Sequence, residues 1–445
     1  MIRSCVVLFA ALLILAACSA PAPVAPPVTE VVKVVEVDVE VTATSLPAAP
    51  TATPEPTRPP LPTPTIIGAP AAGNFPYRII GYYPSWAVYA RRYSPVEVPV
   101  QHLTHINYAF GKIDRDTLQC VLLDPQVDVN NFGDLRRLKQ VYPHFKVLLS
   151  LGGWTLSDVF SNAALTPESR QQLVKSCIDL YVGYYPDVID GFDIDWEYPV
   201  GGGVETNIYR PEDKRNMTLL MQEFRRQLDD LGQQNGHTYL LTAAVPAGPS
   251  LADRFELKQL SDVLDWLNLM AYDFHGAWSK STNFNAPLYR AKDDPEETSN
   301  VDAAVQYYLA AGVPPEKLNL GVPFYGRGWG NLPPRNNGLY QSTDELPVGT
   351  FTYGYYDYWD IPTRYTDKNG FIHYWNDEAK VPWLYNPTER VFITYDDPES
   401  IGFKADYIVD NKLGGAMAWD LSNDDGSLLS TLFYRLYARS AWGRP

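Results

Sequence analysis

The sequence predicts a (β/α)8 TIM barrel that carries a small α+β insertion subdomain. Three observations support this: short apolar strands alternate with helical segments from Tyr77 onward, polar and aromatic residues collect at the strand ends, and one long interval interrupts the alternation. Alternating strands and helices favour a parallel sheet, and eight repeats fit a closed barrel better than an open sheet. The predicted strands cover residues 79–83, 103–110, 146–151, 189–197, 239–245, 266–273, 318–325 and 414–420.

Several helices between these strands have clear sequence signals. Thr166 and the Pro–Glu pair after it form an N-cap, a first-turn proline and an acidic first turn. A second helix is predicted to begin at Pro211, because apolar residues keep helical spacing from there up to Gly232. Residues 299–311 and 398–411 are predicted as further helices.

The interval that interrupts the alternation runs from residue 328 to residue 391, between the seventh strand and the last predicted helix. It is dense in Tyr, Trp and turn residues. A loop this long inside a compact domain usually has structure of its own. We therefore predict an α+β insertion at 328–391, on the rim of a barrel domain that covers residues 74–445.

Residues 1–18 have the pattern of an export signal. Arg3 precedes an apolar run that is too short to span a bilayer by itself. The run ends Leu-Ala-Ala-Cys18, which resembles a bacterial lipobox and implies cleavage before Cys18 and lipidation of that cysteine. An ordinary secretory signal cleaved near Ala20 and an uncleaved anchor are the alternatives. We expect an exported cell-envelope lipoprotein that contacts the membrane only through its lipid anchor, or otherwise a secreted protein.

Residues 19–73 are predicted to be a disordered tether. Pro, Ala, Thr and Val dominate this stretch. Such a composition cannot bury a core and favours extended, semi-rigid conformations. Its expected role is to hold the barrel domain away from a membrane.

Charge and cysteine content limit the partners and the compartment. The net charge of -16 repels phosphate backbones, so we expect no nucleic-acid partner. If Cys5 leaves with the signal and Cys18 is lipidated, Cys120 and Cys177 remain. Cys177 lies on an apolar face of a predicted helix, where a buried thiol is the default, and a Cys120–Cys177 disulfide is the alternative in an oxidising compartment.

The most informative stretch of the chain is the acidic run that begins at Asp190 and ends at Glu197. Strand side chains alternate between faces, so Asp193, Asp195 and Glu197 share one face, with successive members roughly 6–7 Å apart. Carboxylates this close cannot all remain ionised without a large cost, so at least one should hold its proton near neutral pH. A glutamic acid with a raised pKa beside an ionised aspartate can serve as a general acid.

Two other interpretations of this strand are weaker. A solvated acidic edge strand would not carry Phe192, Ile194 and Trp196 on its reverse face. A divalent metal site would need further oxygen ligands in a recognisable loop, and the sequence supplies neither these nor the histidine spacing of a zinc site. We therefore expect neither a metal nor a cofactor.

Polar or aromatic residues occur at nearly every predicted strand end, where barrel enzymes form their active sites. One aromatic residue at a strand end means little, but this many together indicate a groove for sugar rings. The candidates are Tyr82, Phe110, Ser150, Trp154, Glu197, Tyr272, Asp273, Tyr325, Arg327 and Trp419.

Four motifs, in this order, resemble family 18 glycoside hydrolases, the chitinase family. They are Ser150-Leu-Gly-Gly, the acidic run that ends at Glu197, Met270-Ala-Tyr-Asp and the strand that carries Trp419. The resemblance covers roughly residues 78–430. The segment from Gly321 to Arg327, with the interval after it, resembles the branch of the family that has an α+β insertion.

This resemblance implies hydrolysis of β-1,4 linkages between N-acetylglucosamine units, in chitin or chito-oligosaccharides, with retention and substrate assistance. Glu197 would act as general acid and then as general base. Asp195 would orient the 2-acetamido group whose oxygen attacks the anomeric carbon. Asp193 would share a proton with Asp195, supported by Ser150 and Tyr82.

The resemblance also implies contacts between the other candidates and the substrate. Tyr272 would hydrogen-bond the acetamido carbonyl, Asp273 would bind nearby hydroxyls, and Trp419 would lie under the distorted sugar. The substrate-binding residues that it implies are Tyr82, Phe110, Ser150, Trp154, Asp273, Tyr325, Arg327 and Trp419.

Two alternative functions fit the same fold. A non-catalytic chitin-binding lectin would have lost an acid of the run, whereas all of them are present in this sequence. A hydrolase of another N-acetylglucosamine polymer such as peptidoglycan often carries repeated wall-binding modules, and none is visible. We expect the domain to act on its substrate as a monomer.

Overall fold

The computed structural model describes residues 75–441, and all statements about structure refer to this part of the chain. The predictions for the export signal at 1–18, for Cys18 and for the tether at 19–73 concern residues outside it. The strands of the described part are, in chain order, β1 (Arg78–Pro84), β2 (His105–Ile113), β3 (Cys120–Leu122), β4 (Lys146–Gly152), β5 (Gly191–Asp195), β6 (Leu240–Pro246), β7 (Trp266–Met270), β8 (Leu318–Pro323), β9 (Tyr325–Trp329), β10 (Tyr355–Asp357), β11 (Ile372–Asn376), β12 (Val381–Asn386), β13 (Val391–Thr394) and β14 (Gly415–Trp419).

Eight of these strands close a parallel barrel, as predicted. Their order is β1-β14-β8-β7-β6-β5-β4-β2, and β1 also pairs with β2, while the short β3 adds to β2 in antiparallel fashion. The barrel strands are buried almost throughout because their outer faces lie under helices and their inner faces fill the barrel. All eight predicted strands are present, with bounds shifted by a few residues.

The helices that alternate with the strands are α1 (Pro125–Val141), α2 (Phe160–Ala163), α3 (Pro167–Cys177), α4 (Asp213–Asn235), α5 (Pro249–Ala252), α6 (Leu257–Val263), α7 (Val301–Ala310), α8 (Pro398–Asp410) and α9 (Ser427–Ala441). Thr166 caps α3 as predicted, since its side chain accepts from the amide of Ser169. The helix predicted from Pro211 to Gly232 begins at Asp213 and ends at Asn235, where Gly236 takes the left-handed conformation that ends many helices. The sequence prediction gave no bounds for α1, α2, α5, α6 or α9.

A second, five-stranded antiparallel sheet has the order β10-β9-β13-β12-β11 and forms the insertion. It extends from Tyr325 to Thr394, slightly beyond the predicted interval of 328–391. The strand predicted at 318–325 is in fact two strands: β8 ends at Pro323 inside the barrel, and β9 begins at Tyr325 in the second sheet. The chain therefore leaves the barrel within two residues, which places the insertion directly at the carboxyl end of β8.

Cys120 and Cys177 form a disulfide that joins β3 to the last residue of α3, with Cα atoms 4.9 Å apart. Of the two alternatives for Cys177, the structure thus has the disulfide and not the buried free thiol. The link spans a sequence separation of 57 residues. Disulfides stabilise mainly by restricting the unfolded chain, typically by about 2–4 kcal/mol.

Within residues 75–441, no helix has both the length and the apolar character needed to cross a membrane.

Candidate active site

The acidic run lies at the carboxyl end of β5. Asp193 and Asp195 share the inner face of the barrel, and the strand ends at Asp195, so Glu197 follows two residues beyond it. On the opposite face Phe192 is buried in the core, and Trp196 stacks on the ring of Phe160 at 5.2 Å. Because β5 lies between β4 and β6 in a closed barrel, the edge-strand interpretation is wrong.

Asp193 is fixed by four side-chain hydrogen bonds inside the barrel. Tyr82 and Ser150 donate to its Oδ2 at 2.6 and 2.8 Å. Thr242 and Asn268 donate to its Oδ1 at 2.6 and 3.0 Å. Burial raises the pKa of Asp193, and these four donors oppose that rise. Tyr82 and Ser150, predicted as substrate-binding residues, are themselves buried and lie behind the acidic face, where they hold Asp193 in place.

Asp195 has a different environment from Asp193. Its Oδ1 is buried and has no hydrogen-bond partner among the described residues. Burial, followed by the charges of Glu197 and Asp193, raises the pKa of Asp195 well above its ordinary value. The Oδ1 of Asp195 is therefore a buried acceptor without a donor among the described residues, and it lies near the carboxyl group of Glu197.

Glu197 is 8% exposed. Burial raises the pKa of Glu197 from 4.5 to about 7; a hydrogen bond with the Tyr198 side chain lowers it, and the charge of Asp273 raises it. A pKa of about 7 keeps Glu197 partly protonated near neutral pH, in agreement with the expectation that this face retains a proton. A carboxyl group with a pKa close to 7 can donate a proton and accept one at the same pH.

Tyr272 and Asp273 follow the end of β7. The Tyr272 hydroxyl contacts the Sδ atom of Met417 at 3.8 Å, a weak acceptor. Burial, then the nearby acids with Asp195 first, raises the pKa of Tyr272 well above its ordinary value, so the phenol keeps its proton. The amide of Asp273 donates to Asn285, which holds this strand end against the loop that follows.

Asp273 binds Arg327 through both carboxylate oxygens, with nitrogen–oxygen distances of 2.7 to 2.9 Å. The Arg327 guanidinium also lies about equally far, 5.0 to 5.1 Å, from the ring centres of Trp278, Tyr325 and Tyr355. Such a cation–π arrangement holds the guanidinium between Trp278, which follows β7, and two tyrosines of the insertion. Tyr325 is buried, and its ring stacks on Tyr355 at 4.7 Å.

Trp419 is the last residue of β14 and lies among other aromatic rings. Its ring lies 5.4 Å from Tyr82 and stacks on Phe110 at 5.9 Å. Phe110 in turn contacts Trp86 at 6.0 Å. Trp154 lies 6.5 Å from Tyr198 and is 51% exposed. Aromatic rings thus extend from the acidic face to the surface.

The sequence of residues 78–424 matches the family described as Glycosyl hydrolases family 18. The chain belongs to that family. It is 42% identical to Chitinase A1 of Niallia circulans over 403 residues, which cover 79% of this chain and 57% of that protein. The chain therefore spans little more than half the length of that relative.

Solved structures of other family members have the same fold. Chitinase ChiA74 from Bacillus thuringiensis has a TM-score of 0.78 and 39% identity, over 81% of this chain and 70% of the other. A family 18 N-acetylglucosaminidase from Paenibacillus barengoltzii has a TM-score of 0.72 and 35% identity, over 81% of this chain and 100% of the other. The barrel that carries the acidic run is therefore a fold that this family 18 chain shares with both structures.

Four polar residues of this family 18 site were not predicted from the sequence. Thr242 and Asn268 complete the hydrogen bonds to Asp193, while Ser157 and Asn207 bind the main chain of Glu197. A signal for the first two exists: each is a polar residue inside an otherwise apolar strand. Ser157 and Asn207 lie in loops, where the sequence offers no comparable signal.

Within residues 75–441, no group of three or more His, Cys, Asp or Glu side chains has the arrangement of a metal site.

Proposed function

We propose that this family 18 chain hydrolyses β-1,4 linkages between N-acetylglucosamine units in chitin or chito-oligosaccharides, by a retaining, substrate-assisted mechanism. The observation that carries the proposal is the pairing of Glu197, whose pKa burial raises to about 7, with Asp195, whose Oδ1 is buried and lacks a protein donor. The names of the relatives, Chitinase A1 and chitinase ChiA74, support the same substrate.

In the first step, the acetamido oxygen of the sugar on the non-reducing side attacks its own anomeric carbon. The bond from that carbon to the glycosidic oxygen breaks, and Glu197 transfers its proton to the departing oxygen. The unpartnered Oδ1 of Asp195 accepts the acetamido N–H and stabilises the positive charge of the oxazolinium ion. The Tyr272 hydroxyl, bonded only weakly to Met417, orients the acetamido group.

In the second step, Glu197 is a carboxylate and takes a proton from water. The water oxygen bonds to the anomeric carbon from the face that the leaving group vacated, and the bond from that carbon to the acetamido oxygen breaks. The acetamido group and the Glu197 acid are both restored, and the net reaction consumes one water. Two inversions at one carbon give retention of configuration.

The aromatic residues and the Asp273–Arg327 pair form the walls of the groove. Trp419 offers a ring face beneath the sugars, with the buried Phe110 packed against it, and the exposed Trp154 offers another face toward the surface. The Asp273 side chain is 34% exposed and retains acceptor capacity for sugar hydroxyls beside its ion pair. Tyr325 contributes by supporting Arg327 rather than through its own exposed surface.

The chain also fits export and attachment to the cell envelope. The Leu-Ala-Ala-Cys18 sequence supports lipidation of Cys18, and the Pro-rich stretch at 19–73 supports a tether between that lipid and the barrel domain. An enzyme held in this way, acting as a monomer, would meet its polymer outside the cell.

Substrate assistance is tested with chito-oligosaccharides of defined length and their fully deacetylated counterparts. The acetylated oligomers should be cleaved, with the β-anomer appearing first by NMR, because the anomeric carbon is attacked twice. The deacetylated oligomers should resist because they lack the internal nucleophile. Comparable rates on both substrates, or initial α-anomer, would contradict the mechanism.

A further inference from the structure

The main chain of Glu197 is bound on both sides by side chains from loops. Its amide donates to the Oγ of Ser157 at 2.9 Å, and its carbonyl oxygen accepts from the Nδ2 of Asn207 at 2.8 Å. Ser157 is fully buried and Asn207 is nearly so. Because strand β5 has already ended at Asp195, ladder hydrogen bonds no longer hold the chain at this point.

The same two residues belong to loops that bind each other. We call residues 153–163, which follow β4 and include α2, the β4 loop, and residues 197–210, which follow β5, the acid loop. The amide of Ile208 donates to the carbonyl of Asp158 at 3.0 Å, and Arg210 donates to Ser161 and Asn162 at 2.5 and 2.8 Å. Asp158 in turn forms an ion pair with Arg115. The β4 loop is therefore a fixed support against which the acid loop lies.

The β4 loop is itself joined to the end of β5. The amide of Gly153 donates to the carbonyl of Asp195 at 2.7 Å, and the Ser157 hydroxyl lies 3.1 Å from the same oxygen. Ser157 thus contacts the main chain of both Asp195 and Glu197. Gly203 leaves room for the Asn207 contact, since an added Cβ there would lie 2.0 Å from the Glu197 carbonyl oxygen.

From these contacts we propose that Ser157 and Asn207 are positioning residues that set the location of the Glu197 carboxyl group for proton transfer. The reasoning is geometric: they fix both sides of the residue whose side chain must reach the glycosidic oxygen. A misplacement of about 1 Å in a reacting group can reduce the rate by about 10²-fold. The inference rests on the proposed function, because it assigns Glu197 the role of proton donor.

Leaving-group chemistry separates this role from a purely structural one. An N-acetylglucosamine leaving group is a poor one and needs proton donation, whereas 4-nitrophenolate leaves with little assistance. A misplaced acid should therefore impair cleavage of chito-oligosaccharides far more than release of 4-nitrophenol from a 4-nitrophenyl chitobioside. The constant to compare is kcat/KM, because it reports the steps up to cleavage of the glycosidic bond.

The test uses the full chain with Asn207→Ala and Ser157→Ala, and Asn386→Ala as the matched control. Asn386 is also a buried asparagine that donates its Nδ2 to a main-chain carbonyl, at 3.0 Å, but its acceptor is Asn369 in the insertion. We expect Asn207→Ala to lower kcat/KM on the oligosaccharide about tenfold or more, with less than about a threefold loss on the aryl substrate. Asn386→Ala should change both kcat/KM values by the same factor.

Thermal unfolding shows whether each variant is folded. If Asn207→Ala is not folded, Asn207→Ser takes its place in the comparison. Ser157→Thr keeps the hydroxyl and should recover part of the oligosaccharide activity that Ser157→Ala loses. Equal losses on the two substrates in folded Asn207 and Ser157 variants would overturn the inference while leaving the proposed function intact. A wild-type enzyme that cleaves neither substrate would overturn the proposed function instead.

Discussion

Glu197, whose pKa burial raises to about 7, lies close enough to Asp273 for the charge of that carboxylate to add to the rise. Asp273 at the same time accepts hydrogen bonds from the Nε and Nη2 atoms of Arg327. The ion pair with Arg327 holds the Asp273 carboxylate in one orientation, and so keeps its negative charge near Glu197. The protonation of Glu197 therefore depends on a residue from another strand end as well as on its own burial.

Asp273→Asn should move the basic limb of the pH profile of kcat/KM to lower pH. Removing the negative charge removes one cause of the raised pKa of Glu197, so the acid form is lost earlier as the pH rises. In the wild type this limb should lie at about pH 7. The measurement is kcat/KM on a chito-oligosaccharide from pH 4 to pH 9.

Asp262→Asn is the control for the Asp273 experiment. It removes one negative charge from an exposed ion pair with Lys258, on helix α6. Its profile should coincide with that of the wild type. A limb that stays in place in Asp273→Asn, or moves upward, would show that Asp273 does not act on Glu197 through its charge.

Glu197→Gln should remove nearly all hydrolysis of chito-oligosaccharides while leaving the fold and oligosaccharide binding intact. Glutamine has almost the same shape but cannot transfer a proton, and general acid catalysis contributes about 10²–10⁴-fold. The check is turnover together with the dissociation constant for an oligosaccharide. Retention of more than about a hundredth of wild-type turnover would remove Glu197 from the role of general acid.

The same substitution should stabilise the fold above neutral pH. The folded-state pKa of about 7 lies above the ordinary 4.5, so the folded protein binds a proton more tightly than the unfolded chain. The wild type therefore loses stability relative to Glu197→Gln as the pH rises from about 4.5 to about 7, by up to about 3 kcal/mol. Urea unfolding of both proteins at pH 4.5 and pH 8 measures the difference.

Glu223→Gln provides a control of opposite sign. Hydrogen bonds from Arg226, the largest cause, lower the pKa of Glu223, so this carboxylate stabilises the fold above pH 4.5 and loses that contribution as the pH falls. Its variant should be less stable than the wild type at pH 8 and closer to it at low pH. A Glu197→Gln difference that is the same at both pH values would mean that Glu197 is not held in a protonated state by burial.

The sequence predicted the barrel and the acidic face because both depend on local patterns. The alternation along β5 places Asp193 and Asp195 on one face, whereas Glu197 lies beyond the strand end and is held by Ser157 and Asn207. The hydrogen bonds to Asp193 depend instead on strand register, which brings Thr242 and Asn268 beside it from 49 and 75 residues away. No local pattern encodes that register, so these two residues were missed.

The boundaries that were predicted incorrectly have similar causes. The run Pro323-Phe-Tyr325 is apolar throughout, and hydrophobicity alone does not show that the chain changes sheets there. The choice between a buried thiol and a disulfide at Cys177 depends on a partner 57 residues away. Helix α9 was within reach, since Leu428, Leu429 and Leu432 keep helical spacing and are buried in the structure.

Attachment of the protein to the membrane should depend on Cys18 alone. In cells grown with a palmitate analogue, the full-length protein should be labelled and should partition into detergent, because buried acyl CH₂ groups supply the membrane affinity. Cys18→Ala should abolish the label. Cys5→Ala is the matched control and should keep it, since the lipobox pattern implies that Cys5 is removed before the mature protein forms. Label that persists in Cys18→Ala would mean that the lipid is attached at another residue, whereas wild-type protein found free of lipid in the medium would mean that the chain is secreted by an ordinary signal.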